Sequence, residues 1–132
     1  MQAKVTSVRQ NEGVVEICLS AGEVPLTMVA LEGALDVHNG AVVEVGWQAS
    51  HVVLSTSPNS DTTICNTIPC RIKSLKMGEI IATATLSSSL GEFESIVTAR
   101  SAKRLNLSQG SNVYALIKAT NVYLEGIVTS HL

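Results

Sequence analysis

Residues 113–124 of the chain are VYALIKATNVYL, and residues 43–54 are VEVGWQASHVVL. These stretches align without a gap, and so do the hexamers LDVHNG (35–40) and LNLSQG (105–110) that precede them, at one constant offset of 70 positions. β-Branched residues are frequent in these stretches and a glycine closes each hexamer, a pattern typical of short strands between turns. Self-similarity at a fixed spacing indicates a tandem repeat, and the repeat decides the fold class.

The repeat continues upstream, where residues 4–8 correspond to 71–75 and residues 15–19 to 82–86, at an offset of 67 positions. The change of offset predicts about three extra residues in the second copy, between Ser87 and Lys103, in a loop or short helix. Residues 55–63, STSPNSDTT, are polar and carry a Pro-Asn turn signal, so they are interpreted as a linker. We therefore predict two domains at 1–57 and 67–132, with 58–66 forming the linker and the start of the second-copy motif.

In the second copy, runs rich in β-branched residues and bounded by glycines predict strands at 71–77, 79–87, 92–97, 112–118 and 120–127. Residues 99–105 follow Thr98, a suitable N-cap, and predict one short helix. Five strands and one helix in about 65 residues are typical of a small Greek-key barrel of the OB type. The sequence thus predicts an all-β protein of two tandem OB-like barrels, each with five short strands and one short helix.

Composition excludes several classes of function. With 132 residues, 45% of them hydrophobic and 15% charged, the chain can bury a core. A net charge of −2 and an aromatic content of 3% count against a nucleic-acid partner. No apolar run reaches the ~18 residues of a membrane span, and no signal peptide is recognisable, so we expect no membrane insertion and a cytoplasmic location. Three cysteines without CxxC spacing, Cys18, Cys65 and Cys70, are predicted to be free thiols of a reducing compartment.

The net charge is divided unevenly between the two copies. Lys and Arg minus Asp and Glu gives −4 for residues 1–57 and +2 for residues 58–132. An acidic copy is therefore joined to a basic one, and the basic copy is the half better suited to a small anion.

Residues 114–122, YALIKATNV, and the preceding 105–110, LNLSQG, resemble the signature of the Mop domain. This domain is the molybdate-binding unit of molbindins and also occurs in molybdate-responsive regulators and molybdate transporter ATPases. The resemblance is strong over residues 63–125 and weak over 2–56. In the family a copy opens with Ser-Ala-Arg-Asn, two residues and Pro-Gly, and this chain keeps Asn66 and Pro69 but has Thr63 for Ser and Cys65 for Arg.

A tandem of two copies is similar to the di-domain molbindins, whose chains associate as trimers. That resemblance implies a homotrimer that binds molybdate or tungstate at subunit and domain boundaries. Such an anion is fully deprotonated at neutral pH and offers only hydrogen-bond acceptors, so a selective site should offer only donors. Backbone N–H groups, hydroxyls and a single lysine meet that need and avoid crowding several charges in one site.

Carried over position by position, the resemblance implies that the oxyanion-binding residues are Thr63, Ile64, Cys65, Asn66, Thr98, Ser101, Lys118, Ala119 and Thr120. Thr63 would contribute its hydroxyl, together with the backbone around Ile64 and Cys65. Lys118 would act with the neighbouring Ala119 and Thr120, and Thr98 and Ser101 form the Thr-x-x-Ser pair of the family. Each has an ordinary alternative, because Lys118 also suits a solvated strand and Thr98 a helix cap. Thr63 equally suits a linker, and Ser101 an exposed helical turn.

The first copy departs from the motif. Gln48 stands at the position of Lys118, and the opening Ser-Ala-Arg-Asn element is absent. Opposite Thr98 and Ser101 the sequence allows either Met28 and Leu31 or Ala30 and Gly33, none of which has a hydroxyl. We expect the first copy to be mainly a structural partner that can lend backbone donors.

Other chemistry is weakly supported. His38, His51 and His131 lack metal-ligand spacing, so no direct metal ligands are predicted. The chain has no P-loop, G-x-S-x-G or paired-carboxylate motif, and we expect neither an enzyme nor an organic cofactor. The sequence favours intracellular binding and storage of molybdate or tungstate by a self-associating protein. The alternatives are a molybdate-responsive regulatory or interaction module acting on a protein partner and, less favoured, an OB-fold nucleic-acid binder.

Overall fold

The computed structural model describes residues 1–33, 36–58 and 61–129, and its regular structure there is predominantly β. Short 3₁₀ turns occupy Ala49–His51 and Ala119–Asn121, and one α-helix, α1, spans Ala99–Arg104. The strands are β1 (Gln2–Asn11), β2 (Val14–Ala21), β3 (Val24–Leu31), β4 (Val42–Gly46), β5 (Val53–Ser55), β6 (Asn66–Met77), β7 (Ile81–Ser88), β8 (Gly91–Thr98), β9 (Asn112–Ile117) and β10 (Tyr123–Thr129). The all-β class predicted from the sequence is confirmed.

The strands form two antiparallel five-stranded sheets, ordered β10-β4-β1-β2-β3 and β5-β9-β6-β7-β8. Each sheet takes four strands from one sequence copy and its last strand from the other. β10 pairs with β4, placing Leu124 opposite Val45, and β5 pairs with β9, placing Leu54 opposite Ala115. The two copies have therefore exchanged their final strands.

This exchange defines the compact units of the chain. Unit 1 consists of Met1–Trp47 with Lys118–Leu132, and unit 2 of Gln48–Ile117. These bounds differ from the contiguous domains predicted at 1–57 and 67–132. The physical reason is that β5 and β10 are the same element of the repeat, so the edge beside β4 and the edge beside β9 both accept either strand.

Corresponding positions carry corresponding irregularities. The β1–β2 register shifts between Val5 and Ser7, and the β6–β7 register shifts between Ile72 and Ser74. Such a bulge bends a strand and increases its twist. Inward side chains alternate along β2 and β7, as the period of two in a strand requires, and Ile17 and Leu86 among them are fully buried.

The strand registers also locate the extra residues of the second copy. Val14 pairs with Leu31 at the end of β3, and Ile81 pairs with Thr98 at the end of β8, so the offset of 67 holds up to that point. The insertion therefore lies after Thr98, where α1 forms. The register makes Leu31 the counterpart of Thr98, and both alignments considered from the sequence, which placed Met28 or Ala30 there, are wrong.

The prediction of one helix in each copy is corrected by the same count. Six residues separate Thr98 from Leu105, whereas three separate Leu31 from Leu35. Three residues cannot form a helix with a closed hydrogen-bonded turn and its two caps. Glu32 and Gly33 form a turn, and Ala34 and Leu35 lie outside the described residues. In the part of the chain that the structure describes, the α-helix belongs to the second copy.

Candidate functional site

Thr98 and Ser101 are brought together at the start of α1. Thr98 is the N-cap, with an extended backbone (φ −71°, ψ 145°), and its Oγ1 accepts a hydrogen bond of 3.1 Å from the Ser101 N–H. Thr98 is exposed and Ser101 half-buried. The cap uses an acceptor lone pair of the Thr98 hydroxyl, so its proton remains available as a donor. The N-cap alternative for Thr98 is thus real, and it is compatible with anion binding.

The opening motif of the second copy leads into β6. Thr63 and Cys65 are exposed, Ile64 is half-buried, and Asn66 is only 1% exposed. The Ile64 N–H donates to Thr62 Oγ1 at 3.1 Å, so this backbone donor is engaged in a local turn. Asn66 begins β6 and pairs with Ile117 at the end of β9, and Lys118 is the next residue of the chain.

Lys118, Ala119 and Thr120 form the start of a 3₁₀ turn in unit 1. Lys118 precedes the turn with an extended backbone (φ −64°, ψ 143°), and its carbonyl accepts a 2.9 Å hydrogen bond from the Asn121 N–H. Lys118 and Thr120 are exposed and Ala119 is half-buried. Within the described ranges Lys118 forms no ion pair, so its ammonium group is available to an anion.

Gln48 occupies the same backbone environment in unit 2. It precedes the turn Ala49–His51 with φ −85° and ψ 140°, and its carbonyl accepts from the His51 N–H at 2.9 Å. Gln48 and Lys118 therefore share their backbone conformation, and the residue that precedes the turn is a cation in the second copy and a neutral amide in the first. The turns also differ by Ser50 for Thr120 and His51 for Asn121. This pair provides a matched comparison within one chain.

Of the predicted residues, Thr63 to Asn66, Thr98 and Ser101 belong to unit 2, whereas Lys118 to Thr120 belong to unit 1. Thr98 and Ser101 share the wall of a hollow of about 240 Å³ in unit 2. The rest of its lining is apolar except for Arg104, which the sequence reasoning did not single out. The basic excess of the second copy is the signal that could have identified Arg104.

Ser95 is a second residue that the sequence reasoning missed. It is fully buried in β8, and its hydroxyl donates a 2.8 Å hydrogen bond to the carbonyl of Val52, between the turn Ala49–His51 and β5. A buried hydroxyl needs a partner because desolvating it alone costs free energy. Ser95 therefore fixes the end of the turn that carries Gln48, and a serine in an alternating strand gives no sequence signal of that role.

The three cysteines are free thiols, as predicted, and differ in exposure. Cys65 is exposed, Cys18 is half-buried and Cys70 is buried. Burial raises the pKa of the Cys70 thiol to about 11. Its Sγ donates to the Ile68 carbonyl at 3.2 Å, which is typical of a structural thiol.

Among residues 1–33, 36–58 and 61–129, no group of three His, Cys, Asp or Glu side chains is placed to hold a metal ion. His131 lies outside the described residues. In the same part of the chain, no helix has the length and apolar character needed to cross a membrane.

This chain is similar to a known domain family and to a solved structure. Residues 62–124 match the model of the TOBE domain. The fold is similar to a crystal structure of the cytoplasmic molybdate-binding protein ModG, in a form with molybdate bound, with a TM-score of 0.86 and 26% sequence identity. The similarity covers 93% of this chain and 92% of that one. Among curated proteins, none matches this sequence.

Proposed function

We propose that this chain binds molybdate or tungstate and stores the anion in the cytoplasm, as a binding protein and not as an enzyme. One observation carries the proposal. The stretch that matches the TOBE domain, residues 62–124, contains every residue predicted to bind the oxyanion, from Thr63 to Thr120. The likeness to a molybdate-binding protein over nearly the whole chain supports the same ligand.

The donors available at these residues suit a deprotonated tetrahedral anion. The hydroxyls of Thr98 and Ser101 can donate to the anion, since the cap uses only an acceptor lone pair of Thr98. The ammonium group of Lys118 can also donate, because it forms no ion pair among the described residues. Backbone N–H groups near Cys65 and Thr120 add neutral donors. Because one lysine supplies the charge, the desolvation penalty stays smaller than in a site of several cations.

The same donor set discriminates between anions. Inorganic phosphate keeps at least one proton at neutral pH, and that proton finds no acceptor in a donor-only site, which leaves an unsatisfied polar group. Molybdate, tungstate and sulfate carry no such proton. Sulfate is smaller and would contact fewer donors at once, so we expect weaker sulfate binding.

Isothermal titration of the full chain with molybdate, tungstate, sulfate and phosphate tests the proposal. We expect saturable heats with molybdate and tungstate, and weak or no heats with sulfate and phosphate. Silence toward both molybdate and tungstate would refute the function. Equal affinity for all four anions would instead indicate nonspecific attraction to the basic copy.

We also propose that the chain associates with itself, since small sheets of short strands leave edges to cover. A homotrimer is the assembly that the resemblance to di-domain molbindins implies. β3 and β10 are the edges of one sheet, and β5 and β8 the edges of the other. Light scattering coupled to size-exclusion chromatography should give three times the monomer mass, with and without molybdate. A monomeric mass at micromolar concentration would contradict this assembly.

A second candidate function is a molybdate-responsive regulatory or interaction module acting on a protein partner. The observation that favours it is the exposed basic helix α1, whose three cations form no ion pair among the described residues. A complex recovered only in the presence of molybdate would support this module over the storage role.

A further inference from the structure

Helix α1 presents an unbalanced positive charge. Arg100, Lys103 and Arg104 are all exposed on its six residues, which include no acidic side chain. None of the three cations forms an ion pair within the ranges that the structure describes. Like charges at i,i+3 and i,i+4, such as Arg100 with Lys103 and with Arg104, disfavour a helix by a few tenths of a kcal/mol. The fold therefore maintains a local repulsion that an acidic ligand would relieve.

Two hollows of unit 2 border this helix. The first, of about 240 Å³, is lined by Arg104, by the hydroxyl residues Thr98 and Ser101, and by apolar side chains that include Val53 and Leu105. The second, of about 300 Å³, is lined by Glu79, Ile80, Thr98 and Arg100. Thr98 lines both, so the hollows are neighbours, and each has one arginine of α1 in its wall.

Ile80 is an exposed apolar side chain on an ordered backbone. It is 79% exposed, yet its carbonyl accepts a 2.8 Å hydrogen bond from the Ala99 N–H at the start of α1. The adjoining turn is held by the Gly78 N–H donating to the Ile81 carbonyl at 2.9 Å. A Cβ at Gly78 would lie 2.8 Å from that carbonyl oxygen, so the turn requires glycine. A single exposed apolar side chain is ordinary at a protein surface, and Ile80 bears on the argument because it lines the second hollow beside Arg100.

The surface is specific to the second copy. The extra residues that separate Thr98 from Leu105 form α1, and the shorter stretch from Leu31 to Leu35 has no equivalent cations. Unit 2 as a whole has six Lys and Arg against four Asp and Glu, so long-range attraction also favours an acidic partner there.

We propose that α1 and the two hollows beside it form a docking surface for an acidic polypeptide segment that carries apolar side chains. The three cations of α1 pair with its carboxylates, and the hollows accept its apolar side chains. A nucleic acid fits less well, because no aromatic residue lines either hollow to stack on a base. The proposed peptide contacts need neither Lys118 nor the anion, but the hollows also hold Thr98 and Ser101 of the candidate oxyanion site, so the test is made without any oxyanion.

The probe is a displayed library of random twelve-residue peptides, selected on the full-length chain in chloride buffer without any oxyanion. We expect enrichment of peptides that combine Asp or Glu with Leu, Ile, Val or Phe. The affinity of a selected peptide for the full-length chain is then measured by fluorescence anisotropy. Failure to enrich any peptide, or enrichment without an acidic bias, would overturn the proposal.

Charge reversal locates the surface. The variant Arg100→Glu/Arg104→Glu should bind the selected peptide about tenfold more weakly or worse, because two attractive contacts become repulsive. Arg71→Glu/Lys76→Glu is the matched control: it changes the net charge equally, at two exposed residues of β6 in the same unit. Equal losses in both variants would reduce the effect to overall charge and contradict the site.

Ile80→Ser tests the apolar part of the surface at an exposed position where the fold loses little. We expect weaker peptide binding with an unchanged circular dichroism spectrum, and unchanged binding would remove the second hollow from the proposal.

If Arg100→Glu/Arg104→Glu instead lowers the mass of the assembly, the occupant is a second copy of this chain. If a single-stranded oligonucleotide of equal charge displaces the peptide at lower concentration, the occupant is a nucleic acid. Either result would overturn the proposed acidic peptide partner, and the separate titration of the unmodified chain with molybdate tests the anion-binding function.

Discussion

At the level of single residues, Thr98 serves the fold and the candidate site with one hydroxyl. Its oxygen caps α1 through the Ser101 N–H, while its proton is left to donate to a ligand. The corresponding Leu31 has no hydroxyl and is followed by a turn. The cap and the proposed anion donor therefore occur together in the second copy, because both depend on the Thr98 hydroxyl.

Lys118→Ala is the sharpest test of the proposed anion chemistry. A hydrogen bond to a charged group contributes about 1.5–3 kcal/mol, so molybdate affinity should fall by roughly tenfold to a hundredfold. Gln48→Ala is the matched control, since Gln48 has the same backbone environment and no charge. Isothermal titration measures both, and equal losses in the two variants would contradict the prediction that the second copy carries the lysine of the site.

The thiols should differ in reactivity. At pH 8 iodoacetamide should alkylate the exposed Cys65 rapidly and the buried Cys70 slowly, because burial holds the pKa of Cys70 near 11 and the thiolate is the nucleophile. Mass spectrometry of peptides taken over time measures both rates. Molybdate should protect Cys65 alone if the opening motif of the second copy contacts the anion, and protection of neither thiol would argue against that contact.

The same pKa gives a stability prediction with a definite sign. The pKa of Cys70 is raised from 9.0 to about 11 in the folded protein, so the unfolded state loses its thiol proton first. The stabilisation is fully present below pH 9 and is lost as the pH rises toward 11. Urea denaturation across this range should give a shallower decline for Cys70→Ala than for the natural chain, and identical slopes would contradict the assignment.

At the level of elements, the two homologous turns are held differently. The carbonyl of Val52, after the turn Ala49–His51, accepts a hydrogen bond from Ser95 of β8. By the strand registers the counterpart of Ser95 is Met28 of β3, a buried apolar side chain without a hydroxyl. The turn that carries Lys118 therefore lacks an equivalent hydroxyl anchor at that position.

Ser95→Ala should lower the free energy of unfolding by about 1–3 kcal/mol, because it leaves a buried carbonyl without its partner. Ser87→Ala, at an exposed position of β7, is the control and should change stability by less than about 0.5 kcal/mol. Urea denaturation followed by circular dichroism provides the measurement. A neutral Ser95→Ala would show that the hydrogen bond adds nothing to the positioning of the turn.

Most elements could be predicted from the sequence because their causes are local. The strand at 112–117 and the helix after Thr98 are marked by β-branched residues, a glycine and a cap. The second-copy helix was predicted at 99–105 and is observed at Ala99–Arg104. The prediction of a helix in the first copy is wrong. It assumes that the first copy repeats the helix of the second, but only three residues separate Leu31 from Leu35.

At the level of the whole molecule, the exchange of final strands predicts which fragments fold. Residues 48–117 contain every strand of the second sheet, so this fragment should unfold cooperatively in urea. Residues 58–132, the contiguous second copy, lack β5, so the edge of β9 is either left uncovered or takes β10, which the complete chain pairs with β4. We expect this fragment to be less stable or to associate by strand exchange, as light scattering would reveal. If 58–132 were the more stable monomer, the contiguous domain division would be the better description.

The candidate site could be predicted in part. The donors at Thr98, Ser101 and Lys118 are implied by the resemblance to the Mop domain and stay predictions. The surroundings of Arg104 and Ser95, by contrast, include neighbours distant in sequence. The engagement of the Ile64 N–H by Thr62 likewise required coordinates. The hydrogen bonds that a side chain can donate depend on its residue type alone, whereas the groups beside it depend on the tertiary structure.

The sequence by itself determined the all-β class and the cap of α1, since each depends on residues close together in the chain. It also predicted the repeat and the contrast between Lys118 and Gln48, from the likeness of stretches 70 positions apart. Only the tertiary structure decided that β10 pairs with β4 and β5 with β9. The physical reason is that strands pair through backbone hydrogen bonds, which are the same for every residue but proline. β5 and β10 have the same side-chain pattern, so either strand can pair with the edge of β4 or with the edge of β9. Which pairing forms depends on the fold of the complete chain.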